Sequence, residues 1–231
     1  MIKKFILPTK LFLVALLTAG IMSSCEKDNR AEPKSVLKGR VVYEGQPVGV
    51  RSNGVQLEIW QRGYQLFTKI PVYVNQDGTF SASLFDGDYK LVRLRGNGPW
   101  VDNTDTIAVS LRGTQELDVP VKPYFVFQND SYSKGEGKVS ATFNLKQVDA
   151  SRNLERVNLY IGTTMIVDPN NNAGNVQKVA ADITNLSQPI TLTATLSAAL
   201  AGREYVYARI GVKTSGVAEM AFGVPQKIML K

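Results

Sequence analysis

The chain has 231 residues, of which 27 are Lys or Arg, 20 are Asp or Glu, one is Cys and none is His. The absence of His excludes Ser-His-Asp and Cys-His catalysis and nearly all zinc and copper sites. A single Cys excludes intrachain disulfides and thiolate metal clusters. Hydrophobic content of 44% with 20% charged residues is nevertheless ordinary for a globular protein. Composition thus removes much of the usual enzyme repertoire.

The net charge of +7 overstates the basicity of the folded part. Residues 1–24 contain Lys3, Lys4 and Lys10 and no acidic residue, which leaves 24 basic and 20 acidic residues in the rest of the chain. These remaining Lys and Arg are scattered, and they form no run that would follow a phosphate backbone. We therefore expect no binding to nucleic acid.

The N-terminus begins with basic residues, continues with an apolar stretch over residues 11–22, and leads to the only Cys. Twelve residues are too few to span a bilayer core of ~30 Å. The segment resembles a bacterial lipoprotein signal, with Met22-Ser23-Ser24-Cys25 as the lipobox. The resemblance implies a signal peptide over residues 1–24 and membrane anchoring through lipid on Cys25. The alternative is an ordinary secretory signal with a Cys near the cleavage point.

The hydrophilic residues after Cys25 begin with Glu26-Lys27-Asp28. Acidic residues at this point resemble the surface-export signal of Bacteroides-type lipoproteins. The resemblance implies an outer-membrane location, lipid-anchored and facing the cell exterior. Residues 25–35 as a whole are predicted to be a flexible tether.

From Val36 onward, apolar and polar residues alternate in short runs that are broken by Gly, Asn, Asp and Pro. This period of two predicts β-strands. We expect the first part, residues 36–122, to be one β-sandwich. Its predicted strands include residues 55–60, 80–85, 88–94, 107–111 and 117–121.

The alternating pattern restarts after Pro123. About seven short strands in residues 123–231 predict a sandwich of the immunoglobulin or fibronectin type. Pro120 and Pro123 interrupt strand pairing and place the domain boundary. The chain is thus predicted to be all-β, with two consecutive β-sandwich domains. Besides strands at residues 124–127 and 176–183, the rows expected to face inward are Val139, Ala141, Phe143, Leu145; Val157, Leu159, Ile161; Ile190, Leu192, Ala194, Leu196; Val206, Ala208, Ile210, Val212; and Met220, Phe222, Val224.

An ordered set of landmarks in the first domain resembles the carboxypeptidase regulatory-like domain, a small prealbumin-like β-sandwich. The landmarks are Leu37-Lys38-Gly39-Arg40-Val41-Val42, then Asp77-Gly78-Thr79-Phe80, then Asp86-Gly87-Asp88-Tyr89. The layout of lipobox, regulatory-like sandwich and second β domain is similar to a Bacteroidetes lipoprotein family of unknown function. Such lipoproteins typically come from starch-utilisation-type loci, which capture and import glycans. The resemblance implies a polysaccharide ligand and an outer-membrane glycan transporter complex as partners, and it supplies no catalytic residues.

Glycan binding requires aromatic faces for sugar C–H groups and polar groups for the hydroxyls. Trp60 falls on the polar face of its strand, and Trp100 lies in a loop rich in polar residues. In the second domain, an outer face is expected to present Tyr residues beside Asn158 and Arg209. The alternative is that such rings cover the domain junction or the back of a sheet. The candidate glycan-binding residues are Trp60, Trp100, Tyr160, Tyr205 and Tyr207.

Two pairs of carboxylates have a spacing that glycoside hydrolysis could use, Asp102 with Asp105 and Asp86 with Asp88. Both pairs lie in turn-like sequence, where Asp caps backbone amides. Residues 168–175 offer oxygen ligands for Ca²⁺ but contain one carboxylate, which favours a polar hairpin loop. We therefore expect no catalytic residues, no metal and no cofactor.

Two functional hypotheses follow from the sequence. The first is a non-catalytic surface lipoprotein that acts as an accessory glycan-binding component of a polysaccharide uptake system. The second is a structural spacer, adhesion or protein-interaction lipoprotein without a ligand of its own.

Overall fold

The computed structural model describes residues 31–63, 65 and 67–231. The predicted signal peptide, Cys25 and residues 26–30 of the predicted tether lie outside the described residues. Pro33–Lys231 form one compact unit. Within the described part of the chain, we find no helix whose length and hydropathy would suffice to cross a bilayer.

The first domain is built from eight strands among the described residues, arranged as two sheets. One sheet has the order β4-β3-β6-β7. In the other, β1 pairs with β8 in parallel on one side, and with β5 and β2 in antiparallel fashion on the other. The strands are β1 (Ser35–Tyr43), β2 (Gln46–Pro47), β3 (Gln56–Trp60), β4 (Lys69–Tyr73), β5 (Thr79–Leu84), β6 (Gly87–Arg93), β7 (Thr106–Leu111) and β8 (Thr114–Pro120).

The inward faces of these two sheets form a single apolar core. Leu37, Leu57, Leu91 and Leu111 are fully buried in it, one from each of four strands. Burying such a side chain stabilises the fold by about 1.5–3 kcal/mol. Phe80 also enters this core, immediately after the Asp77-Gly78 turn.

The second domain is also a two-sheet structure, with eight strands among the described residues. A three-stranded sheet has the order β13-β10-β9; in the other sheet, β12-β11-β14 is extended by β15 and β16, which both pair with β14. The elements are β9 (Phe125–Gly135), β10 (Lys138–Gln147), β11 (Leu154–Gly162), β12 (Gly174–Val179), a 3-10 helix (Ala180–Asp182), β13 (Ile190–Thr195), the helix α1 (Ala198–Ala201), β14 (Tyr205–Thr214), β15 (Ala221–Phe222) and β16 (Gln226–Met229).

Most of the predicted inward rows of the second domain are confirmed. Every predicted inward residue of β10, β11, β13 and β14 is buried. The predicted strand over residues 176–183 is too long, because the chain turns into the 3-10 helix after Val179. Val224 was expected inward but is 65% exposed, since it lies between β15 and β16 and not in a strand. The chain is an all-β protein with two consecutive domains.

One set of contacts between the domains follows the linking segment. Trp100 pairs with Pro123 in an isolated β-bridge. The amide of Val101 donates to the carbonyl of Lys122 at 2.9 Å, and the amide of Tyr124 donates to the carbonyl of Pro99 at 3.3 Å. The loop after β6 therefore holds the start of the second domain.

A second set of contacts is centred on Arg209, which is fully buried. From β14 its guanidinium reaches the first domain and donates to the carbonyls of Val50 at 3.1 Å and Gln76 at 2.7 Å. Its Nε donates to the carbonyl of Gly223 at 2.8 Å, and its Cζ lies 4.5 Å from the centroid of the Phe222 ring. Burial lowers the pKa of Arg209 to about 10, which still leaves the guanidinium charged at neutral pH.

Backbone and ionic contacts reinforce this junction. The amide of Phe222 donates to the carbonyl of Gly49 at 2.9 Å. Arg51 donates through Nη2 and Nε to the two carboxylate oxygens of Glu219, at 2.6 and 3.1 Å. The two-pronged geometry is the strong form of an Arg–carboxylate pair. The two domains are thus joined by buried polar contacts as well as by the chain itself.

Candidate functional site

The outer face of the β4-β3-β6-β7 sheet carries Trp60, the candidate residue whose outward position the strand pattern predicts. Leu57 and Ile59 point into the core and are fully buried, so Trp60 points outward. Directly opposite Trp60 lie Lys69 on β4 and Lys90 on β6, which are both exposed. The indole therefore has a cationic side chain on either side of it.

A second ring extends this surface. Phe67, from the segment that connects β3 to β4, is 55% exposed. Its ring centroid lies 5.0 Å from that of the half-buried Trp60, with an angle of 40° between the ring planes. The two rings are thus in contact at an angle to each other, with Phe67 the more exposed of the two.

Glu58 holds the polar groups of this surface in place. One carboxylate oxygen accepts a hydrogen bond from the indole Nε1 of Trp60 at 3.2 Å, and the other accepts from Nζ of Lys69 at 2.6 Å. The side chain of Lys69 is 45% exposed, so this ion pair contributes little to stability, about 0–1 kcal/mol. Its effect is to fix the indole and the ammonium side by side. We call Glu58, Trp60, Phe67 and Lys69 the Trp60 platform.

The platform continues along the edge strand β4. Lys69, Pro71 and Tyr73 form the outward row of this strand, and Tyr73 is 53% exposed. Tyr73 lies four positions after Lys69 in the strand, which corresponds to roughly 13 Å. A chain-like ligand that lies along this edge can therefore contact a second aromatic residue.

Trp100 does not present a binding surface, contrary to what its polar loop suggested. The residue is only 4% exposed and belongs to the core of the first domain. Gly98 makes this possible, since a Cβ at that position would lie 2.1 Å from Cε2 of the indole. A buried ring cannot stack on a sugar, so Trp100 is removed from the candidate residues.

Tyr160 is also buried. It lies on the outer face of β11, as expected, but that face is covered. Val167, Met220 and Phe222 pack around the ring, and its hydroxyl lies 3.5 Å from the sulfur of Met220. The polar neighbour Asn158 is likewise buried. Tyr160 is therefore on the predicted face of the sheet, but the expectation that its ring is exposed is wrong, because segments distant in sequence pack over this face.

Tyr205 and Tyr207 form a smaller aromatic surface on the second domain. Both are half-buried, and their ring centroids lie 5.8 Å apart in an edge-to-face arrangement. The ammonium of Lys227 lies 4.0 Å from the centroid of the Tyr205 ring, where it occupies one ring face. Arg209, expected beside these rings on the surface, points into the domain junction instead. This surface offers less open ring area than the Trp60 platform.

Two of the carboxylates considered for hydrolysis, Asp86 and Asp102, accept hydrogen bonds from backbone amides of loops and turns. Asp86 accepts hydrogen bonds from the Ser35 hydroxyl and, at 3.1 Å, from the Gly113 amide, and these contacts lower the pKa of Asp86. Asp102 accepts from the Gly96 amide at 2.7 Å. A general acid requires a raised pKa, so the environment of Asp86 is the opposite of what that role needs.

The carboxylate of Asp168 is also used within its own loop. Its Oδ1 accepts from the amides of Asn170 at 2.8 Å and Asn171 at 2.9 Å. Its oxygens are further contacted by the side-chain amide of Asn171 at 3.2 and 3.3 Å. This pattern is that of a polar loop closed on an Asp side chain.

Sequence reasoning missed Phe67, Lys69 and Tyr73 as parts of a binding surface. Phe67 lies outside any strand, so no alternation assigned it to a face. Lys69 and Tyr73 lie on β4, whose Pro71 obscured the strand pattern. The signal that could have found Lys69 was the outward position of Trp60. Once β4 is recognised as the partner of β3, Lys69 lies directly opposite Trp60.

Comparison with known proteins identifies the family. The family described as "Protein of unknown function (DUF3823) N-terminal domain" matches residues 35–122, and "Domain of unknown function (DUF3823_C)" matches residues 125–227. The chain belongs to the DUF3823 family. No match was found among curated proteins.

Solved structures of similar proteins support this assignment. A DUF3823 family protein from Bacteroides ovatus is 39% identical, with a TM-score of 0.80, and one from Parabacteroides merdae is 33% identical, with a TM-score of 0.79. A protein from Bacteroides uniformis, named as a "putative carbohydrate binding protein", has the same fold at 21% identity and a TM-score of 0.72. Each match covers 86% of this chain and all of the other.

Proposed function

We propose that this DUF3823 protein is a non-catalytic lipoprotein of the outer-membrane surface that binds glycan through the Trp60 platform, as an accessory component of a polysaccharide uptake system. The observation that carries the proposal is the contact between the half-buried Trp60 and the exposed Phe67, flanked by the Glu58–Lys69 ion pair. The name of the Bacteroides uniformis relative is consistent with this ligand class.

The chemistry of the platform suits a sugar ring. Aromatic faces attract the C–H groups of one side of a pyranose, and charged groups at the ring edge bind its hydroxyls. Lys69 donates one hydrogen bond to Glu58, and an ammonium has three N–H donors, so it retains donors for a ligand. An indole whose own N–H is held by Glu58 is preorganised for stacking.

The proposed ligand is tested with the folded part of the chain. Residues 33–231 form one compact unit, and 86% of this chain matches crystallised relatives over their whole length, so a fragment of this size folds by itself. The fragment is applied to an array of host and plant polysaccharides. Retention on at least one of them is the expected result, and no retention on any would contradict direct glycan binding.

The proposed location rests on the lipobox and is tested at Cys25. Cells grown with an alkyne fatty acid should label the wild-type protein and should not label Cys25→Ala. Protease added to intact cells should degrade the wild-type protein if it faces the exterior. An unlabelled wild-type protein would contradict the lipid anchor.

The alternative is a spacer or interaction lipoprotein without its own ligand. The buried Arg209 junction favours it specifically, because such a junction makes the two domains one stiff unit. Purification of the native protein from outer membranes, grown with and without complex glycans, separates the two functions. Co-purifying sugar or a glycan transporter supports the first, and a different protein partner without sugar supports the second.

A further inference from the structure

Strands β3 and β4 place two pairs of side chains opposite each other at the two ends of their pairing. Trp60 lies directly opposite Lys69, and four positions away Gln56 lies directly opposite Tyr73. Alternate residues of a strand point to the same face of the sheet, so both pairs lie on the outer face that carries Trp60. Each pair combines an aromatic ring with a side chain that forms hydrogen bonds.

The second pair offers a sugar the same kinds of contact as the first. The Tyr73 side chain is 53% exposed, which leaves it available for the C–H groups of a pyranose. The half-buried Gln56 carries a primary amide, which both donates and accepts hydrogen bonds. The backbone amide of Gln56 donates to Oδ1 of Asn97 at 2.5 Å, which holds this end of β3 in place.

The two aromatic residues lie diagonally across the two strands, because Trp60 is on β3 and Tyr73 is on β4. Their separation along the strands is four positions, or roughly 13 Å. Between them lie Glu58 and the exposed Pro71, which are also directly opposite each other. The Glu58 carboxylate is already bonded to the Trp60 indole and the Lys69 ammonium. The segment between the rings therefore combines an apolar ring with a carboxylate that is already paired.

The position of β4 leaves room for a long ligand. This strand is the edge of its sheet, so its outward row is reached from the side as well as from above. Thr68 precedes the row and Asn75 follows it, and both residues are exposed. A chain that lies along β4 can therefore extend beyond either end of the row.

We infer that β3 and β4 bind an extended segment of a linear polysaccharide, with one sugar residue on Trp60 and Phe67 and a later residue of the same chain on Tyr73. A single pyranose is too short to reach both places. Two weak contacts on one chain strengthen each other, because the first raises the effective concentration of the ligand at the second. This inference rests on the proposed function and adds the form of the ligand, a chain and not a free monosaccharide.

The inference is tested by calorimetric titration of the 33–231 fragment with oligosaccharides of graded length. They are prepared by partial hydrolysis of linear polysaccharides of the array, among them amylose, xylan, polygalacturonate and hyaluronan. The affinity of wild type should rise steeply once a chain is long enough to reach both rings, with one long chain bound per protein. An affinity that does not depend on length, or two long chains per protein, would overturn the inference.

Tyr73→Ala locates the second contact. Because the side chain is more than half exposed, the fold should persist, as thermal unfolding will show. We expect affinity for long chains to fall roughly three- to tenfold and affinity for the shortest bound sugars to be unchanged. Tyr73→Phe keeps the ring and should bind like wild type. Wild-type affinity of Tyr73→Ala for long chains, or an equal loss for short and long ones, would overturn the inference.

Phe85→Ala is the matched control, because it removes a ring of similar exposure, 49%, from the turn between β5 and β6. It should bind chains of every length like wild type, and a loss equal to that of Tyr73→Ala would overturn the inference.

The failure of this inference differs from failure of the proposed function. Trp60→Ala should weaken the binding of short and long chains alike, because the Trp60 platform contacts both. A loss in Trp60→Ala without a loss in Tyr73→Ala would overturn the extended site alone. Wild-type binding by Trp60→Ala would contradict the platform itself.

Discussion

At the scale of single residues, neighbours decide whether an aromatic side chain is available to a ligand. Trp60 and Trp100 both occur among polar residues, yet the first is half-buried on a sheet face and the second belongs to a core. Gly98 accounts for the difference, since its lack of a side chain gives the Trp100 indole room to fold back. Composition around an aromatic residue therefore does not reveal its exposure.

Asp149 provides a pH-dependent prediction at this scale. A hydrogen bond from Lys122 and further ones from the hydroxyl and amide of Ser151 lower the pKa of Asp149 to about 2. Because this value is below the unfolded value of about 3.9, the carboxylate stabilises the fold above about pH 4, and this contribution is lost as the pH falls through about 2. We expect Asp149→Asn to be less stable than wild type at pH 7 in urea titrations.

The same experiment at low pH checks the sign of the effect. The difference between wild type and Asp149→Asn should disappear below about pH 2, where both side chains are neutral. Asp130→Asn, which changes an exposed carboxylate on β9, is the control. A stability difference that persists unchanged at low pH would contradict the electrostatic explanation.

At the scale of strands, the sequence was most informative where a strand has one face in a core. Val139, Ala141, Phe143 and Leu145 alternate with polar residues, and all four are buried as predicted, because the period of two is a direct consequence of the pleat. The same rule placed Val224 inward and was wrong, since β15 ends at Phe222. Alternation predicts faces and does not predict where pairing stops.

Gly39 gives the sharpest prediction for a single strand. It lies in the middle of β1, paired with both β5 and β8, and a Cβ there would lie 1.8 Å from the carbonyl oxygen of Leu117. Gly39→Ala must therefore push two strands apart. We expect the free energy of unfolding to fall by about 1–3 kcal/mol or more, measured by urea denaturation.

Gly135→Ala is the matched control for Gly39→Ala. Gly135 is also in a strand, but a Cβ there would meet no atom within 4 Å. Its expected effect is within about 0.5 kcal/mol of wild type, as for other surface positions. Equal effects of the two substitutions would show that the close approach of β8 to Gly39 is not what requires a glycine.

At the scale of the whole molecule, the domain junction was beyond the reach of sequence patterns. Alternation along β14 places Arg209 on the outer face of its sheet, which is correct. The expectation that Arg209 is exposed there is wrong, because the first domain covers it. Its acceptors on Val50 and Gln76 lie more than 130 positions away in the chain. Tyr160 is covered in the same way by Met220 and Phe222. Contacts of this kind follow from how domains dock, and no local period reports them.

Arg209→Met tests whether this junction couples the domains. The substitution leaves buried carbonyl oxygens without a hydrogen-bond donor, and each such group costs roughly 1–3 kcal/mol. We expect a lower melting temperature and, in calorimetry, two separate transitions where wild type shows one. Arg203→Met, which removes an exposed Arg from the same domain, is the control. A single transition at the wild-type temperature would contradict a coupling role for Arg209.

The central claim is that the Trp60 platform binds glycan, and affinity electrophoresis through polysaccharide gels tests it most directly. Trp60→Ala removes a half-buried ring from a sheet surface, so the fold should persist while affinity falls at least tenfold. Phe85→Ala, which removes a ring that is 49% exposed in the turn between β5 and β6, is the control and should be retained like wild type. Retention of wild type and Phe85→Ala with free migration of Trp60→Ala is the predicted result. Equal retention of Trp60→Ala and wild type would contradict the claim.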